Sequence, residues 1–333
     1  MQKKKIVKNI LIVGYGSAGK RYHRIIKKYF FLSKLKIFSL NKNNKKKIFI
    51  KKLSEIKNFN PQLAIICTPA TKRIKIIKFL IDLKTNLLIE KPLAFNHVEA
   101  KKISKYINKS KLIVKVGYNL RFLNSLKTLK NLIKSKILGK IYFADIFAGQ
   151  NLLNWRKKKD YKNTVSAQKK LGGGVLLELS HEIDYVNWIF GYFDRIFCKN
   201  SKISDLKIDV EDNAKILLFS KNKYTINVNL DFCRHDPIRI CHVVGKNGSL
   251  IWNGVKNKLL YFCNKKKNWK NIRFKKNNIQ NSYLQQLKEM IKLCNSRENI
   301  NNDLADINSA LKTMKLIDSA RNSSKFLKVI RIK

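Results

Sequence analysis

The chain has 333 residues, a length that exceeds one small core and fits two domains. Its formal net charge of +51 rests on 72 basic residues, 60 of them lysines and 12 arginines, spread along the whole sequence. That balance argues against a specific nucleic-acid partner, because bidentate phosphate and guanine recognition favours arginine, and the shared surplus of Lys, Asn and Ile, all with A/T-rich codons, reads as a solvated lysine surface.

The cysteines (Cys67, Cys198, Cys233, Cys241, Cys263, Cys294) form no C-x-x-C pair and no Cys/His cluster. They read as reduced thiols, with no metal ligand set. The basic start Lys3-Lys4-Lys5 is followed by an apolar stretch broken at Lys8 and Asn9, so it does not match a secretory segment, and no apolar run is long enough to span a membrane. The expectation is a cytoplasmic protein with no membrane partner.

In chain order, the first strong signal is the apolar run 10–13, then Gly14-Tyr15-Gly16-Ser17-Ala18-Gly19, then a helical stretch over 17–29. A buried strand ends in a tight turn that opens into a helix. Gly14 turns the chain, Gly16 lets the backbone approach a pyrophosphate, and Gly19 lets helix and strand pack closely. The helix N-terminus, with Ser17 and Ala18, offers free N–H groups to phosphates. Further strands are expected at 36–40, 63–67, 86–89 and 113–116, with helices at 73–83 and 96–107. Asn96 followed by Glu99 matches an N-cap with a carboxylate three residues on. Alternating strands and helices predict a doubly wound parallel sheet, a Rossmann domain over 1–122.

At the end of the strand 86–89 stands Glu90-Lys91-Pro92. Ligands of open α/β sheets bind beyond the carboxyl ends of the strands, so Lys91 belongs to the same crevice as the glycine turn. Pro92 restricts the backbone of Lys91 and so fixes where its ammonium goes. Beside an oxidised nicotinamide, charge and desolvation favour a neutral lysine, a usable acid/base near neutral pH.

Residues 123–333 read as a second, α+β domain. A helix at 124–134 and a strand at 141–148 precede a polar segment over 149–170. Strands follow at 214–219, 224–232, 239–244 and 249–252, joined by hairpins at Asn222-Lys223 and Lys246-Asn247-Gly248, and helices near 283–293 and 303–319 close the chain. The sheet is expected to be mostly antiparallel and open. Its uncovered face predicts a homo-oligomer, dimer or tetramer. Ahead of the strands lies Gly172-Gly173-Gly174 and a helix over 177–190. The glycines let the backbone pass close to a ligand or another segment. The helix spacing places Glu178, His181 and Asp184/Tyr185 on one face, with an acid beside a histidine that titrates near neutrality.

These motifs in register resemble the Gfo/Idh/MocA family of NAD(P)-dependent oxidoreductases. The resemblance covers Gly14–Gly19, Thr68-Pro69, Glu90-Lys91-Pro92, 117–122, the 172–184 block, and a C-terminal helix with Asp306 and Ala310. It implies a crevice between two domains in which hydride passes between nicotinamide and a carbinol carbon of a sugar, nucleotide sugar or cyclitol, while Lys91 and His181 handle the hydroxyl proton. It further implies that Thr68, Pro69, Arg73 and Glu90 lie at the cofactor, and Asn119, Arg121 and Asp184 at the substrate. Many members carry an Asp four residues before the histidine; Leu177 stands there, and Glu178 is the substitute. The acid that holds the adenosine ribose in NAD-specific members is missing from 38–42, and Ser39, Asn41 and Lys42 suit a 2′-phosphate instead, which tilts NAD or NADP slightly toward NADP. The segment with Trp155 and Arg156 looks like family branches encoded near surface-polysaccharide genes. It is either an aromatic platform with polar donors for a sugar or an ordered loop with a packed tryptophan. A non-catalytic nucleotide sensor on the same fold is the competing function.

Overall fold

The computed structural model describes residues 7–40, 46–155, 160–296 and 303–332. The first half alternates: β1 (Asn9–Val13), α1 (Ser17–Tyr29), β2 (Lys34–Phe38), β3 (Phe49–Ile50), α2 (Leu53–Phe59), β4 (Leu63–Ile66), α3 (Ile74–Asp82), β5 (Asn86–Glu90), α4 (His97–Asn108) and β6 (Val114–Gly117). The second half begins with α5 (Asn124–Lys134), β7 (Ile141–Gly149), α6 (Val175–Glu178) and α7 (Ser180–Phe190). Then come β8 (Phe193–Ser201), β9 (Asn213–Ser220), β10 (Thr225–Asp231), β11 (Ile238–Gly245), β12 (Gly248–Asn253), β13 (Lys258–Cys263) and β14 (Asn268–Asn271). The chain closes with α8 (Ile279–Ser296), α9 (Ile307–Phe326) and β15 (Ile330–Arg331).

Contacts divide the chain into two units, one of residues 1–119 with 280–311, the other of 120–279 with 312–333. The first holds a parallel sheet in the order β3-β2-β1-β4-β5-β6. Its central strands are buried on both faces; Leu63, Ala64, Ile65 and Ile66 are all fully covered, and so are Leu87, Leu88 and Ile89. That is why they read as unbroken apolar runs rather than alternating ones. The order reverses between β1 and β4, so the carboxyl ends of these strands diverge around a crevice in this unit. The Asn96 side chain accepts from the Glu99 N–H at 2.8 Å, capping α4 as its sequence predicts.

The second unit carries a nine-stranded sheet, β14-β13-β12-β11-β7-β10-β9-β8-β15. All neighbours are antiparallel except β7 and β10, which run parallel. Several elements lack a local signature. In β8 a register shift between Phe193 and Arg195 interrupts the alternation that would mark it as a strand. Strand β14 is exposed throughout and exists by pairing with β13. Helix α2 buries only Ile56 and relies on Glu55, whose carboxylate accepts from the N–H groups of Lys51 and Lys52.

The helix expected over 177–190 is two helices. Glu178 and Leu179 N–H close α6 onto the carbonyls of Gly174 and Val175, and Glu182 N–H then bonds Leu179 three residues back, restarting the ladder. No helix among the described residues is long and apolar enough to cross a membrane. The six cysteines are free.

Asn96→Ala removes the acceptor of an otherwise orphan N–H and should lower stability by about 1 kcal/mol, seen as a lower urea midpoint, whereas replacing Asn96 with Ser should recover most of the loss.

Candidate active site

In the first unit the glycine turn is built as its spacing demands. Gly14 has φ +93°, and a Cβ there would sit 3.0 Å from the Cys67 carbonyl carbon. A Cβ on Gly19 would lie 2.1 Å from the Gly14 carbonyl oxygen, so α1 can approach β1 only without a side chain. Gly16 differs: a Cβ there would meet nothing within 4 Å. Gly16 is also the N-cap of α1 and supplies no side-chain cap, and no acidic residue lies in the first turn. Open space at an uncapped helix N-terminus is what a pyrophosphate requires, and Ser17 and Ala18 begin that helix. The residues present therefore fit a dinucleotide phosphate.

Beside this turn, the ends of β4 and β5 are clasped by Arg73. Its guanidinium, in a residue only 2% exposed, donates to the carbonyl oxygens of Thr68, Glu90 and Pro92. Burial pushes it down to about 10, against the pull of Glu90. Arg73, expected at the cofactor, thus shapes this loop by holding three carbonyls. Thr68 Oγ1 is buried without a partner. Pro69 leads a short 3-10 turn. Lys91 is half-buried, and its peptide bond to Pro92 is cis.

Glu90 is 6% exposed and accepts from the Tyr22 hydroxyl at 2.9 Å. Burial raises its carboxyl above the ordinary range; the Tyr22 hydrogen bond, Lys91, Arg21 and Arg73 pull it back. Tyr22 in turn accepts from Gln286 Nε2 at 2.7 Å. Neither partner carries a motif in the sequence. The one available signal was a glutamine on the buried stripe of α8, among Tyr283, Leu287 and Met290. Ser39 is 8% exposed at the end of β2, while Asn41 and Lys42 lie outside the described residues.

In the second unit, Gly173 is required by a protein segment: a Cβ would stand 2.3 Å from the Val165 carbonyl oxygen. Gly174 (φ +100°) donates its N–H to Ser166. The glycine run therefore packs against residues 165–166. Glu178 ends α6 and accepts from Ser166 Oγ at 3.0 Å. His181 is 9% exposed in the first turn of α7, across the break at Leu179, so the single helix face expected for Glu178 and His181 is interrupted. The adjacent Glu182 is fully buried and accepts from Arg239 Nε at 3.0 Å.

Three residues expected at the substrate are committed to internal partners. Arg121 and Asp184 form a bidentate pair at 2.8 and 2.7 Å, 4% and 1% exposed, and Thr313 also donates to Asp184. Burial pushes the Asp184 carboxyl up, and Arg121 and Thr313 push it down. Asn119 donates to Ser282 Oγ at 2.7 Å. Trp155 donates its ring N–H to the Gln150 carbonyl and packs edge-on against Phe232, so it is a packed tryptophan; Arg156 lies outside the described residues.

A Rossmann sheet with an uncapped glycine turn, followed by an open mixed sheet, defines a class of nucleotide-binding oxidoreductase folds. A model of the oxidoreductase family with NAD-binding Rossmann fold matches residues 8–118, and one of the GFO/IDH/MocA C-terminal domain matches 126–251. The chain belongs to the Gfo/Idh/MocA family. It is 21% identical to myo-inositol 2-dehydrogenase of Thermotoga maritima over 251 residues, 73% of this chain and 72% of that one. It is 26% identical to the rhizopine catabolism protein MocA of Rhizobium meliloti over 128 residues, spanning 38% of this chain and only 37% of the rhizobial protein's length. In fold it is similar to the WlbA dehydrogenase of Bordetella pertussis, solved with NADH and UDP-GlcNAcA, with a TM-score of 0.81, 15% identity and 99% of each chain covered.

Two sets of variants test this geometry. Gly19→Ala should destabilise the protein, whereas Gly16→Ala should leave the unfolding midpoint in place and weaken dinucleotide binding, read by nicotinamide fluorescence. Arg121→Met should cost about 3–5 kcal/mol by leaving Asp184 buried without its cation. The double replacement Arg121→Met/Asp184→Leu should restore most of that in a chemical denaturation series.

Proposed function

We propose that this protein is an NAD(P)-dependent oxidoreductase acting on a hydroxyl or keto carbon of a sugar, nucleotide sugar or cyclitol. The observation that supports it best is the open, uncapped turn at Gly16, on the same sheet whose strand ends carry Thr68 and Glu90-Lys91. A bound nicotinamide supplies the hydride acceptor or donor. The chain's own residues bind, orient and move the proton. The N–H groups of Gly16, Ser17 and Ala18 take the pyrophosphate, and Gly14 and Gly19 hold the turn that presents them. Thr68, Pro69 and Glu90 line the nicotinamide side, and Arg73 fixes their backbone. Lys91 Nζ takes the substrate hydroxyl proton during oxidation and returns it during reduction, with His181 as the second proton-handling group and Glu178 as its supporting acid.

The lack of an acid over 38–42 favours a 2′-phosphate near Ser39, hence NADP over NAD. The likeness to an enzyme solved with a UDP-sugar acid supports a nucleotide sugar, as in surface-polysaccharide synthesis. The half-buried Phe147, Ile240, Ile251 and Leu260 share the outward side of the nine-stranded sheet and support a homo-oligomer through that face.

Purified protein should bind NADPH or NADH saturably and turn over a member of a sugar, cyclitol and nucleotide-sugar panel. Lys91→Met should then retain cofactor binding and lose at least about 100-fold in kcat, the scale of a general acid/base. Binding without turnover of any panel member would favour a sensor; undiminished turnover by Lys91→Met would remove the assigned mechanism.

A further inference from the structure

A buried polar feature of the first unit is a chain of three side chains from three elements. Gln286 on α8 donates Nε2–H to the Tyr22 oxygen on α1, and Tyr22 donates its only hydroxyl proton to Glu90 Oε1 at the end of β5. Tyr22 and Gln286 are both fully buried. In this arrangement Gln286 Oε1 is buried without a partner. An orphan amide oxygen at the end of a sealed chain is costly, and a stable protein has reason to use it.

We propose that Tyr22 and Gln286 are positioning residues for Glu90, forming a reversible hydrogen-bond chain that serves the carboxyl group in both its ionised and its protonated form. With Glu90 ionised, the direction is Gln286 to Tyr22 to Glu90, as observed. With Glu90 protonated, its O–H donates to the Tyr22 oxygen, the Tyr22 hydroxyl turns to Gln286, and a flip of the amide presents Oε1 as the acceptor. Both states hold two hydrogen bonds. The second state gives the orphan oxygen a partner.

The surroundings support a carboxyl able to take either form. Burial disfavours its charge, while Arg21 on α1, Arg73 ahead of α3 and its neighbour Lys91 favour it. Burial holds Cys67, after β4, as a thiol, and holds the Tyr22 hydroxyl far above its ordinary range, so Tyr22 stays a donor in either direction. On β6, Gly117 lies beside the group: a Cβ there would stand 3.3 Å from Glu90 Oε1. The functional sense rests on the proposed oxidoreductase reading. A nicotinamide ring is cationic when oxidised and neutral when reduced, so a neighbouring carboxyl whose charge can change without losing partners balances both forms.

The test is an infrared pH titration of the ligand-free full chain, with the Glu90 carboxyl band isolated by subtracting Glu90→Gln. Tyr22→Phe removes a hydrogen bond that the ionised form values most, and should raise the midpoint by about one to two pH units, tenfold to a hundredfold in ionisation constant. Gln286→Met removes one bond from each state and should move it by less than half as much. In wild-type protein labelled with 13C-tyrosine, a tyrosine C–O band should shift at the Glu90 midpoint and stay still in Glu90→Gln; this readout needs no Tyr22 variant to fold. An unmoved midpoint in Tyr22→Phe, a static tyrosine band, or a Gln286→Met shift as large as that of Tyr22→Phe would overturn the proposal. Failure of the wild type to bind NADH or NADPH would sink the oxidoreductase reading instead, and the ligand-free titration would still decide the chain.

Discussion

The cofactor side of this protein depends on one buried cation. Arg73 is almost wholly covered, and it spends its guanidinium on the carbonyl oxygens of Thr68, Glu90 and Pro92. Those carbonyls belong to the segments that leave β4, which borders the glycine turn, and β5, the next strand of the sheet. Backbone oxygens in such places lack ladder partners and would each cost roughly 1–3 kcal/mol if buried unsatisfied. Arginine is suited to this because its planar fork meets several acceptors at fixed angles while its charge persists under burial. The backbone positions of Thr68, Glu90 and Pro92 therefore depend on Arg73.

Around that clasp the first unit uses returning chain as support. Ser282 and Gln286 lie more than 160 residues beyond Asn119 and more than 260 beyond Tyr22, yet each hydrogen-bonds its partner directly. Ala305 pairs with Val116 at the end of β6, just before Asp306 caps α9 through the Ser309 N–H. A Rossmann sheet exposes the outer side of its last strand, and here late segments of the chain complete it. Glu90 is consequently held through its main-chain carbonyl by Arg73, which precedes α3, and through its carboxyl by the hydrogen-bond chain from α1 and α8.

The second unit solves a different problem, that of buried charge. Arg121 with Asp184, and Arg239 with Glu182, both tie α7 to its surroundings through carboxylates that are essentially without solvent. Such pairs add little net stability over apolar packing but make the alternatives expensive, since either partner alone would be a stranded ion. They fix the helix that carries His181. The glycine run next to it serves closeness to the 165–166 segment, and Ser166 in turn holds Glu178.

How much of this was legible in the sequence varies by interaction range. Strands β1, β4 and β5 announced themselves because burial on both faces demands continuous apolar runs, and α1, α4 and α5 because periodicity, and for α4 the Asn96 cap, is local. The roles of Gly14 and Gly19 were readable for the same reason: each is set by atoms of the turn and the strand beside it. Strands β8 and β14 were not, since a bulge hides the first and pairing alone makes the second. The candidate site divides likewise. The sequence by itself determined the glycine turn, the lysine at the end of β5 and the family to which both point. Only the tertiary structure decided that Arg73 clasps carbonyls, that Arg121 and Asp184 satisfy each other, and that Tyr22 and Gln286 serve Glu90. Partner choice among charged and polar side chains is settled by which groups are sealed from water together, and that depends on residues distant along the chain.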